Sequence, residues 1–467
     1  MLFPSEVFLF IFLPFVLAIY YLVLRKHTKS KNIFLFVMSL LFYAYGEPKY
    51  VFLMLFMILF HYFLGLCIEK YHSKWILVFM TIADICVLGY FKYLNFIVSI
   101  FTGNLNTFKI ALPIGISFYT FQAISYVVDV YRGKGKVQTN FLNVGLYISL
   151  FPQLIAGPIV RYETIEKEIE HRKETINDFC LGVTRFIIGL GKKVLLANKF
   201  AIVADAVFAG VKSGSTTNSF LFLWLGAISY TLQIFFDFAG YSDMAIGLGR
   251  MFGFHFLENF NYPYIAQSIT EFWRRWHISL SSWFRDYVYI PLGGSRCGKK
   301  KLVRNILIIW MLTGFWHGAS WNFIVWGLLF GVLLAIEKLV IGDKIEKIPK
   351  VIRHLYVLFV VMISFIIFNS NDIISAFHNI SGLFGGGGEV FINDVCLYYL
   401  NSYGLILLMA CFGATPICKN LVEKISKNKT GKKIINILEP VYLGVLLLIV
   451  TTYLIDGSYN PFLYFRF

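Results

Sequence analysis

A histidine lies inside the apolar run Ile306–Phe330, in the stretch Gly314-Phe315-Trp316-His317-Gly318-Ala319-Ser320-Trp321-Asn322. An imidazole in so apolar a segment costs free energy unless it meets a partner or a substrate. Burial disfavours the imidazolium, so the ring stays neutral and able to accept a proton, which suits a general base. Gly314 and Gly318, four residues apart, bare one helix face beside His317, and Trp321 follows one turn later. A long substrate could approach the backbone there. Equally, the glycines could let two helices pack closely while His317 bonds a neighbouring carbonyl.

A second constellation runs from Glu271 to Tyr287 as EFWRRWHISLSSWFRDY. Read as one helix, it lines Trp273, His277 and Ser281 along a face and sets Glu271 four residues before Arg275, the spacing of an ion pair. Its Trp and Arg load suits a membrane interface, so a surface helix without chemistry is the alternative reading. The segment Pro291–Lys301 follows, PLGGSRCGKKK. Glycine-rich backbone with Arg and Lys can hold the phosphates of a bulky anionic donor, although any cytoplasmic loop is basic. Asp129, Asp237 and Asp243 also stand in apolar surroundings. They could orient a histidine or an arginine, but structural salt bridges are the stronger reading.

The elements that position these residues are set by the solvent. The chain has 467 residues, 58% hydrophobic and 15% charged, with a mean hydropathy of +0.69. That is too apolar for a soluble domain, and lipid is the expected solvent. Runs such as Val7–Leu24, Tyr50–Leu66, Trp75–Tyr90, Ser219–Phe236, Ile306–Trp321, Phe323–Leu339 and Val441–Leu454 approach the roughly 20 residues that span a bilayer, and about 11 spans are expected. The first run has no basic residue before it and Arg25 and Lys26 after it, so it reads as a retained helix and not as a signal peptide. The net charge of +16 is accounted for by Lys and Arg in cytoplasmic loops, which leaves no case for nucleic acid. Threading from an outside N-terminus puts Arg25–Lys31 and Lys419–Lys433 inside and Asn369–Asp394 outside. The seven cysteines form no C-x-x-C pair and read as buried thiols, with no metal site.

No linker divides the chain and no internal repeat of the transporter kind is visible. The expectation is a single membrane domain over 1–467, with N-terminal spans at 1–110, a catalytic core at 111–330 and C-terminal spans at 331–467. In the core, polar residues, Gly and Pro interrupt the apolar runs at Leu112–Arg132, Phe151–Arg161, Gln233–Gly247 and Glu271–Gly294. Broken backbone at membrane depth is tolerated only inside protein or beside a water-filled cavity, so the site is expected there.

Taken together, LPIGISFYTFQAISY at Leu112–Tyr126, FPQLIAGPIVR at Phe151–Arg161, QIFFDFAGYSDMAIG at Gln233–Gly247, EFWRRWHISLSSWFRDYVYIPLGG at Glu271–Gly294, GFWHGASW at Gly314–Trp321 and FLYFRF at Phe462–Phe467 resemble the membrane-bound O-acyltransferase family. The resemblance is strongest to the branch containing the membrane subunit of bacterial alginate O-acetyltransferase. It implies an all-α polytopic fold, a bundle of spanning helices with re-entrant or interfacial helices around a central tunnel. It also implies that His317 is catalytic and His277 its companion. Expected substrate contacts are Trp316, Asn322, Trp273, Arg274, Arg285 and Asp237.

The expected reaction moves an acyl group, acetyl above all, from a cytoplasmic thioester to a hydroxyl outside the cell. The donor is acetyl-CoA or an acyl carrier protein, and no bound cofactor is expected. An extracellular or periplasmic partner of the esterase (SGNH-hydrolase) type would receive the group and modify an exopolysaccharide or wall polymer. The expected location is the cytoplasmic membrane of a bacterium. Thirteen residues of helix beyond Arg304 carry His317 roughly 20 Å, past mid-membrane. The rivals are D-alanyl transfer to teichoic acid, peptidoglycan O-acetylation and, from another class, a transporter or flippase using buried His and Asp as a proton relay.

Overall fold

The computed structural model describes residues 1–25, 27–104, 107–213, 219–296, 298–386, 390–457 and Leu463. Lys26, Cys297 and the rest of the terminal FLYFRF word lie outside them. Among the described residues the chain is all-α, with only an isolated bridge between Ser219 and Val390. Seven of these helices are long and apolar enough to cross a membrane: Val51–Tyr71, Lys74–Thr102, Phe220–Met251, Trp321–Ile341, Lys350–Asn369, Asp394–Gly413 and Lys429–Ile455. The shorter apolar helix Val7–Val23 precedes them. This is a multi-pass membrane protein.

Two compact units form, one from 1–189 with 241–258 and the other from 190–240 with 259–467. In the first, Val51–Tyr71 ends where His72 adopts a left-handed conformation (φ 43°), and Ser73 caps the next helix by accepting from the Trp75 N–H. The helix Ile116–Tyr131 is almost wholly buried. It starts at Gly115, whose φ of 74° and 2.7 Å clearance from the Leu154 carbonyl oxygen to a would-be Cβ leave no room for a side chain. At one end, Arg172 donates to the Tyr20 hydroxyl (2.9 Å) and to Asn32 Oδ1 (2.6 Å), while Glu174 accepts from Tyr20 (2.6 Å) and Lys31 (3.0 Å). Burial pushes the Glu174 carboxyl up, but these donors outweigh it and hold the group below its ordinary value.

The irregular backbone expected at Leu112–Arg132 and Phe151–Arg161 is present as the turn before Ile116 and the break after the short Phe151–Leu154 helix. Gln233–Gly247 differs, because the helix Phe220–Met251 runs through it unbroken. It contains no proline, and its glycines serve close packing: a Cβ on Gly247 would lie 2.8 Å from the Phe186 backbone nitrogen.

In the second unit, Lys299–His317 and Trp321–Ile336 form a hairpin with little between their backbones. A Cβ on Gly314 would fall on the Phe323 carbonyl oxygen, and one on Gly327 on that of Trp310. Around the hairpin Phe235, Tyr264, Phe272, Trp273, Trp276, Trp326, Phe330, Phe365 and Phe368 form an aromatic core. The reading of the cysteines as buried is corrected. Cys396 is buried and Cys67 half-buried, but Cys86, Cys180, Cys411 and Cys418 are exposed. Cys86 and Cys411 ride on helices that are long and apolar enough to cross a membrane but only 11% buried by protein, so an apolar run there does not imply a protein core.

Candidate active site

The helix carrying His317 ends on it. Gly318 leaves the helix with an extended backbone, and Ser320 starts the return at Trp321. His317 is half-buried, its ring packed edge-on against Trp326 and Phe368, each 5.2 Å between centroids, and beside Trp316 at 5.0 Å. The bare strip expected at Gly314 and Gly318 is filled, because the Phe323 backbone and ring occupy the space of both missing side chains. Of the two readings of these glycines, close helix packing is the one realised. The same break leaves Trp321 exposed at the start of the return helix, no longer one turn beyond His317.

His277 is also at a break. The single helix expected over Glu271–Tyr287 is two, Ile269–Arg275 and Ile278–Phe284, and His277 between them has a left-handed backbone (φ 44°, ψ 53°). Such a conformation costs a residue with a Cβ about 1–2 kcal/mol, so its surroundings must hold it. The first helix is fixed at its start by an N-cap, Ser268 Oγ accepting from the Glu271 N–H (2.9 Å), while the Glu271 carboxylate reaches back to accept from the Gln267 N–H (2.8 Å). Buried Glu337 takes the N–H groups of Ile269 (2.7 Å) and Thr270 (2.9 Å). At the other end Asn259 accepts the Ile278 N–H on its carbonyl (2.9 Å) and faces His277 Nδ1 with its side chain (3.1 Å).

The two imidazoles flank Trp316. Its indole lies 6.2 Å from the His277 ring and 5.0 Å from that of His317, and a charge on His317 acts on His277. Phe238 closes over His277 at 4.6 Å, edge to face. Two basic rings, His277 buried and His317 half-buried, lined by indoles and phenyls on two helix breaks, can accept and return protons in surroundings poor in other polar groups.

The other expected site residues divide into two groups. Trp273 joins the site, packed on Trp310 (4.5 Å), Phe330 (4.8 Å) and Trp326 (5.7 Å), with its indole N–H buried and without a hydrogen-bond partner among the described residues. Asn322 is buried and donates to the Ser370 carbonyl (2.7 Å), tying the hairpin to the end of Lys350–Asn369 beside Phe368. Arg274 is exposed, and Arg285 is exposed and paired with Asp286 at 2.7 Å. Asp237 is engaged on both oxygens, by Lys193 (2.7 Å) and by the Leu463 N–H (3.1 Å). In the first unit, Asp243 pairs with Arg185 (2.9 Å) and Asp129 accepts the Glu163 N–H (3.1 Å). In the Pro291–Lys301 segment Arg296, Lys299, Lys300 and Lys301 are exposed, the three lysines opening the next helix, and the turn before them is held by Asn305, which donates to the carbonyls of Leu292 (3.1 Å) and Gly294 (3.2 Å). Asn259, Glu337 and Phe368 were not foreseen. A carboxylate inside the apolar run Trp321–Ile341 could have marked Glu337, whereas Asn259 gave no signal of spacing.

A family model described as the membrane-bound O-acyltransferase family matches residues 136–369, the stretch that contains both histidines. The probable alginate O-acetylase AlgI of Azotobacter vinelandii is 42% identical over 88% of this chain and 83% of its own length. The chain belongs to the membrane-bound O-acyltransferase family. As a member it is an acyltransferase, and its polytopic helical fold is the family's. The peptidoglycan O-acetyltransferase of Helicobacter pylori is 34% identical over 86% of this chain and 82% of its own. The teichoic acid D-alanyltransferase of Bacillus subtilis is 33% identical, over 47% of this chain and 58% of its own length.

Proposed function

We propose that this acyltransferase takes an acetyl group from a thioester on the cytoplasmic side, acetyl-CoA being the donor, and passes it to a hydroxyl outside the cell for O-acetylation of an exopolysaccharide. The observation that carries this reading is the pair of imidazoles on two helix breaks around Trp316, in a chain similar over most of its length to alginate O-acetylases. His317 takes the proton of the acceptor hydroxyl as its oxygen bonds to the acyl carbon. The carbon–sulfur bond then breaks, and the thiolate receives the proton back. His277 supports that proton movement, and Trp273 and Trp316 shape an apolar passage for the acyl group. The exposed Arg274, Arg285 and the basic residues of the segment 293–301 meet the donor's phosphates at the cytoplasmic face of a bacterial cytoplasmic membrane. An esterase-like partner outside the cell receives the acetyl group.

A second acceptor, peptidoglycan, is favoured by the 34% identity to the Helicobacter pylori enzyme across most of both chains. Inverted membrane vesicles supplied with radiolabelled acetyl-CoA, or with a D-alanyl carrier protein, separate the donors. Covalent label on a hydroxyl acceptor from acetyl-CoA alone is expected. Transfer only from the D-alanyl carrier, or solute flux without covalent transfer, would overturn the reading.

A further inference from the structure

We propose that Asn259 is a positioning residue for the acyl transfer, fixing the tautomer of His277 so that Nε2 is its proton-accepting nitrogen. The inference rests on the reading that His277 works beside His317. A backbone N–H only donates, and that of Ser279 points at the Asn259 side chain at 3.2 Å, so the atom facing it is the amide oxygen. The same oxygen receives the Ser279 hydroxyl at 2.8 Å and lies 3.1 Å from His277 Nδ1. Nδ1 therefore carries the hydrogen. No carboxylate among the described residues touches the ring, so nothing there favours imidazolium, and a neutral ring protonated on Nδ1 has its lone pair on Nε2. That nitrogen is buried and has no hydrogen-bond partner among the described residues.

Asn259 grips the chain on both sides of this ring. Its main-chain carbonyl takes the Ile278 N–H at 2.9 Å, while its side chain takes Nδ1 and Ser279, and between them His277 keeps its left-handed backbone. In this state His277 can accept a proton at Nε2 and cannot donate one there. Once charged, it still donates Nδ1–H to Asn259 and returns the proton from Nε2, so the ring ends each turnover as it began. Among the described residues, the titratable group whose charge acts on it is His317.

The test uses the full-length protein in liposomes with labelled acetyl-CoA, comparing wild type, Asn259→Ala, Asn259→Asp, His277→Ala and Asn259→Ala/His277→Ala. Asn259→Ala is expected to lower kcat on the order of 100-fold with KM within about twofold, and the double variant to be no slower than His277→Ala. Asn259→Asp keeps size and acceptor oxygens but sets a carboxylate against Nδ1–H. It is expected to retain activity with the acidic limb of its pH profile moved up by about one unit. Wild-type kcat in Asn259→Ala, loss that multiplies with that of His277→Ala, or an unmoved pH profile in Asn259→Asp would each overturn the clamp. An active His277→Ala would instead overturn the underlying reading of the site.

Discussion

Gly314 and Gly327 face each other across the hairpin so closely that a Cβ on Gly314 would lie 3.3 Å from the Gly327 Cα. The helix ending in His317 is thus positioned by the absence of side chains. Its partner helix carries Trp326, against which the His317 ring packs.

Substituting either glycine with alanine forces the helices apart. Gly314→Ala and Gly327→Ala should each destabilise the protein by about 1–3 kcal/mol, the cost of overpacking a fitted contact. They should also lower kcat by displacing His317 from Trp316 and His277. Thermal unfolding in detergent together with acyl transfer in liposomes checks both effects. Gly444→Ala, where among the described residues nothing beyond the neighbouring turns of its own helix lies within 4 Å of the added carbon, serves as the control: it should leave transfer unchanged and stabilise the protein by no more than about 1 kcal/mol.

Lys193 and Asp237 form an ion pair with side chains 1% and 4% exposed. Removing one charge strands the other, so Asp237→Ala should cost about 3–5 kcal/mol. The double variant Lys193→Met/Asp237→Leu should recover most of that loss. Chemical denaturation of wild type, Lys193→Met, Asp237→Leu and the double variant gives the coupling. If Asp237 instead contacts substrate, the double variant will regain stability and remain inactive.

Acidification should weaken the Tyr20–Lys31–Glu174 cluster. The folded state holds the Glu174 carboxyl below its ordinary value, through bonds from Tyr20 and Lys31 that outweigh its burial. Its contribution is therefore complete above the unfolded value and is lost as pH falls through the folded one, a window below about pH 4.5. Melting temperature measured against pH should fall more steeply there for wild type than for Glu174→Gln, with the two curves parallel above pH 6.

The legible parts of this protein are those set by short-range periodicity. Apolar runs announced the spanning helices, and the spacing of Glu271 and Arg275 announced an ion pair now seen at 2.8 Å. His317 was conspicuous as an imidazole in an apolar run. His277 was visible as a residue but not as a break, because the split rests on an extended Trp276 followed by a left-handed His277, and no Gly or Pro stands there to mark it. Asn259 acts across eighteen residues of sequence, a distance over which no periodicity operates. Gly314 and Gly318 allowed two meanings until the position of Phe323 was known. Exposed Cys86 and Cys411 read as buried because a spanning helix left uncovered by protein is as apolar as a buried one.

The most direct test of the account is acyl transfer by His317→Ala, reconstituted in liposomes beside wild type, with radiolabelled acetyl-CoA and a hydroxyl acceptor. The variant should fold, melt near the wild-type temperature and transfer label about 100-fold to 10,000-fold more slowly, the range lost with a general base. Transfer at the wild-type rate by a folded His317→Ala protein would contradict the assignment of the base.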